Sequence, residues 1–129
     1  MRKTLLAVLA GMAIVGLHAA PADPAKPDVA KLAADRLDAA RSVYKALQVS
    51  YQQGLGTLND QVAWAEHVLD AQIDAGNATQ GFADYVAIMQ AAEKEARVAY
   101  DSARINVADL QRVHFFRVEA ELWQARGHK

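Results

Sequence analysis

The sequence predicts an all-α protein, either an antiparallel helical hairpin with kinked helices or a four-helix bundle, coiled-coil-like in both cases. Three observations predict it. Alanine and other strong helix formers dominate from Asp28 onward. All three prolines lie at or before Pro27, so none breaks a later helix. Apolar residues recur at alternating spacings of three and four, the period of one helix face. No stretch shows the sustained alternation of a strand.

The first helix is predicted from about Val29 to Tyr51, with Ala33, Leu37, Ala40, Tyr44, Leu47 and Tyr51 on one stripe. Gly54 and Gly56 interrupt it. Thr57 can cap a second helix, with Asp60 in its first turn. That helix carries Leu58, Val62, Ala65, Leu69 and Ile73 and stops at Gly76-Asn77. A third helix is expected from near Gly81, along Phe82, Tyr85, Met89, Ala92, Ala96, Ala99 and Ala103. Asn106 caps a fourth, with Asp109 favouring its positive end. Leu110, Val113, Phe116, Ala120 and Trp123 form its stripe, and it ends before Gly127.

Residues 1–22 have the layout of a secretory signal peptide. Arg2 and Lys3 precede an apolar run from Leu5 to Leu17, and Ala20-Pro21-Ala22 offers an A-x-A cleavage site before Asp23. The run is shorter than the ~20 residues a membrane span needs. Residues 23–28 then read as an extended leader and 29–127 as the helical domain. The expected destination is the periplasm.

Removing Arg2 and Lys3 from 14 basic residues leaves 12 against 15 acidic ones, a net charge of −3. That balance provides no footprint for nucleic acid. No later segment is apolar enough to cross a membrane. With no cysteine in the chain, disulfides, thiolate metal sites, covalent haem and a lipidated cysteine are excluded. No cofactor is expected.

The chain repeats itself at an offset of 49 residues, in halves of about 29–76 and 80–127. Tyr51 matches Tyr100, Gly54 matches Ala103, Thr57 matches Asn106, and Asp60 matches Asp109. Leu58 matches Val107, and Ala71-Gln72-Ile73 matches Ala120-Glu121-Leu122. The unit is a helix, an interruption and a second helix, used twice.

The order Tyr51-x-x-Gly54, then Asp60, then Ala71-Gln72 resembles the repeated helical segment of TolC-family outer-membrane efflux proteins. The second copy departs from it at Ala103 and Glu121. In that family these positions are structural, so no catalytic or ligand residue is implied. The chain lacks the family's barrel strands and is too short for its helical tunnel. The resemblance implies a TolC-like helical module, with efflux or outer-membrane components as partners by analogy only.

Candidates for chemistry are few. His67-x-x-Asp70 places two ligand types on one helix face, and His114 lies in the corresponding helix of the second half. These three are weak metal candidates. His128 lies near a fraying helix end. The acids are spread along solvent-facing positions, and no nucleophile triad, phosphate loop or nucleotide fingerprint occurs. No enzyme is expected. Trp64, Phe115, Phe116 and Trp123 are candidates for an interaction surface. Phe115 and Phe116 are adjacent and cannot share the centre of one narrow stripe. The expected function is an exported helical interaction protein acting through coiled-coil contacts, with a protein partner or self-association. The alternative is a periplasmic metal- or small-molecule-binding bundle.

Overall fold

The computed structural model describes residues 26–129. The predicted signal peptide and the first residues of the leader lie outside the described residues. The chain is all-α, as predicted: α1 (Val29–Gln52), α2 (Leu58–Asp74), α3 (Ala78–Asp101) and α4 (Val107–Arg126), with no strand among the described residues. Of the two arrangements left open, it adopts four separate helices. Gly54 and Ala103 lie in chain reversals rather than in helix kinks.

Each helix packs on the next, α1 on α2, α2 on α3 and α3 on α4. The pairs are antiparallel. Arg36 near the start of α1 pairs with Asp74 at the end of α2. Gln72 on α2 donates to Asp84 on α3 at 2.8 Å, and Gln90 on α3 to Glu121 on α4 at 3.1 Å. The central helix α2 therefore needs two apolar faces. Val62, Ala65 and Leu69 join Phe82, Tyr85, Val86, Met89 and Ala120 in the main core. Val68 and Ala71 pack against Leu37 and Ala40 of α1 in a smaller one. The single predicted stripe on α2 captured the first face and missed the second.

The third helix starts at Ala78, three residues before the predicted Gly81. Gly81 serves the packing instead. A Cβ there would sit 3.0 Å from Gln72 Cβ and 3.2 Å from Leu69 Cδ1, so its absence lets α2 and α3 approach closely.

Helices α1, α2 and α3 end in the same motif. Leu55 N–H donates to Ser50 O at 2.8 Å and Gly54 N–H to Tyr51 O at 2.9 Å. Forty-nine residues on, Arg104 N–H donates to Ala99 O at 2.8 Å and Ala103 N–H to Tyr100 O at 2.9 Å. Asn77 and Gly76 make the corresponding bonds to Gln72 and Ile73 at the end of α2. Each is a Schellman closure, which turns its C′ residue left-handed. Gly54 and Gly76 do so freely at φ 77° and 82°, but Ala103 is held at φ 56°. The next helices start alike as well. The Thr57 hydroxyl accepts from Asp60 N–H at 3.1 Å, and the Asn106 side chain from Asp109 N–H at 2.9 Å.

Candidate interaction surface on α4

Helix α4 is apolar on two opposite sides. Its inner side carries the buried Val113 and Ala120, with Phe116 and Trp123 packed against the main core. Trp123 stacks on Tyr85, ring centroids 5.7 Å apart. The outer side, roughly half a turn away, carries Ala108, Gln111, Phe115, Val118, Leu122 and Ala125, all exposed. These follow one another at spacings of three and four, the a and d positions of a coiled-coil seam. Phe115 is 58% exposed, and Val118 and Leu122 are 44% exposed each. Nothing in the described fold covers this seam.

Charged residues flank it. Arg112, Glu119 and Arg126 follow the seam on one side, and His114 and Glu121 on the other. The hydrogen bond from Gln90 and the Arg117 guanidinium hold the Glu121 carboxyl below the usual range. Burial and the nearby Glu66 push the Glu119 carboxyl up.

Behind His114 lies a buried carboxylate, Glu93, 7% exposed. His114 Nδ1 and Arg97 each lie 2.9 Å from Glu93 Oε1, and Arg117 Nε pairs with Oε2. The His114 hydrogen bond, joined by those of Arg97 and Arg117, keeps the Glu93 carboxyl below its ordinary value against the cost of burial. This cluster ties α3 to α4. Single-helix spacing could not reveal it, because its members come from two helices.

The predicted site residues do not form one surface. Phe116 and Trp123 belong to the core, as their place on the inner stripe of α4 required. Trp64 is half-buried on α2, edge-on to His67 at 5.0 Å. Only Phe115 is presented outward. Its seam partners Gln111, Val118 and Leu122 form with it a second three-four series in the sequence, on the reverse face of α4 from the Leu110 to Trp123 stripe.

The metal candidates do not converge. His67 packs on Trp64, Asp70 accepts from Lys129 Nζ at 3.0 Å, and His114 is held by Glu93. No cluster of three or more metal-ligating side chains occurs among the described residues. His67, Asp70 and His114 are thus each engaged by a different neighbour in the fold. Near the two long loops, Tyr51, Leu58, Ala92, Ala99 and Ile105 line an open groove of about 350 Å³. No helix among the described residues is long and apolar enough to cross a membrane.

The chain matches no known family model, curated protein or solved structure in sequence or fold comparison.

Proposed function

We propose that this chain is an exported helical protein of the periplasm whose work is protein contact, made through a coiled-coil seam on α4. The exposure of Phe115, Val118 and Leu122 at heptad spacing carries this reading. A helix that only packed on its own fold needs one apolar stripe; α4 has two. Export rests on the charged start, the apolar run and the Ala20-Pro21-Ala22 site. The likeness of the Tyr51 to Gln72 segment to TolC-family repeats supports a TolC-like helical module, with export or efflux components as partners of first resort.

The chain of residues 1–129, expressed in a bacterial host with a photoreactive residue in place of Phe115, tests both parts. Periplasmic protein beginning at Asp23 is expected, with adducts at position 115 that a Val118→Glu change abolishes. Retention in the cytoplasm with residues 1–22 intact would contradict export. An absence of adducts would contradict contact.

A further inference from the structure

We infer that the outer seam of α4 pairs with the same seam of a second copy, helix parallel to helix and in register, to form a two-fold dimer. This rests on the contact reading above and names its partner. With Ala108, Phe115 and Leu122 at a positions and Gln111, Val118 and Ala125 at d, each layer meets its own counterpart. Gln111 then faces Gln111 of the second copy, where the two amides can hydrogen-bond. The antiparallel alternative sets Gln111 against Leu122, leaving an amide buried without a partner.

Charge fits the parallel arrangement. The residue before one a position approaches the residue after the next d position of the other helix. That brings Glu121 to Arg126 and His114 to Glu119, twice each by symmetry. Glu119, which lies near both Glu66 and Lys129 of its own chain, gains a further nitrogen partner. Arg126 is exposed and makes no ion pair among the described residues, so it is free to reach across. The seam spans only about two and a half heptads. It needs no more, because α3 already holds α4 helical and little ordering remains to be done on association.

Light scattering on the processed protein, with a Leu122→Cys variant under oxidation, is the test. The chain has no cysteine of its own, so any disulfide reports position 122 alone. Parallel pairing places the two residues side by side, whereas antiparallel pairing parts them by about eleven residues, roughly 16 Å. A dimer is expected, with Leu122→Cys forming an inter-chain disulfide and Phe115→Glu weakening association at least tenfold at unchanged helicity. A dimer without the disulfide overturns the parallel register. A monomer at all concentrations overturns the dimer. If position 115 still forms adducts with a different protein in cells, the contact reading survives that failure. Without adducts both fall.

Discussion

Tyr85 and Trp123 lie face to face across the α3–α4 interface, their planes 16° apart and their centroids separated by 5.7 Å. The stack joins the two helices near the end where Lys129 folds back over the Trp123 ring, 4.9 Å from its centroid. Offset aromatic pairs of this kind contribute ~0.5–1.5 kcal/mol beyond their buried area. Trp123→Ala removes the stack and part of the core, and a loss of about 3 kcal/mol is expected. The Tyr85 hydroxyl is buried with no hydrogen-bond partner among the described residues. Tyr85→Phe is therefore expected to leave stability unchanged or to raise it by up to about 1 kcal/mol. Urea unfolding followed by circular dichroism reads both.

The two long turns differ where the chain must turn left-handed. Gly54 does so without strain, while Ala103 occupies the same place at φ 56°. Ala103→Gly should stabilise the protein by about 1 kcal/mol, and Gly54→Ala should destabilise it by a similar amount. No Cβ contact complicates the second change, since nothing lies within 4 Å of an added methyl at Gly54. Paired thermal melts check the opposite signs.

Gly81→Ala sets two effects against each other. Alanine improves helix propensity by about 1 kcal/mol. Its Cβ would meet Gln72 Cβ at 3.0 Å, where α2 and α3 are closest. Gln72 is itself buried and tied to Asp84, so it has little room to yield. Overpacking of this sort costs ~1–3 kcal/mol, and net destabilisation is expected in the same melts.

Glu93 makes the stability depend on pH. Its carboxyl sits below its ordinary value in the fold, chiefly through His114. The unfolded chain therefore takes up the proton first as the solution is acidified. The stabilisation is fully present above the ordinary glutamate value of ~4.3 and is lost as pH falls through the lowered folded value. Glu93→Gln should destabilise the protein by about 2 kcal/mol at pH 7, with the difference shrinking toward pH 3. A difference constant across that range would assign the effect to packing.

Most of the fold was legible because its helices obey local rules. The stripe on α1 from Ala33 to Tyr51 avoids full exposure at every position, and the caps at Thr57 and Asn106 make their expected bonds. What local rules miss is anything set by a second helix. Val68 and Ala71 are buried because α1 lies over them. Gly81 is a contact point that reads in isolation as a helix start. Glu93 looks like a solvated acid until His114 and Arg117 arrive from α4. The seam at Phe115, Val118 and Leu122 was half legible. Adjacent phenylalanines signalled a second face, but only the packed fold distinguishes the outer one from the core.

Cysteine labelling at position 115 tests the contact role of α4 most directly. In a chain without native cysteine, Phe115→Cys and a Lys45→Cys control on the exposed side of α1 can be compared in intact expressing cells and in the dilute purified protein. Position 115 should react many-fold more slowly than position 45 in the cells and about equally fast after dilution. Equal rates in both settings would show that the outer face of α4 meets only water, contradicting the account.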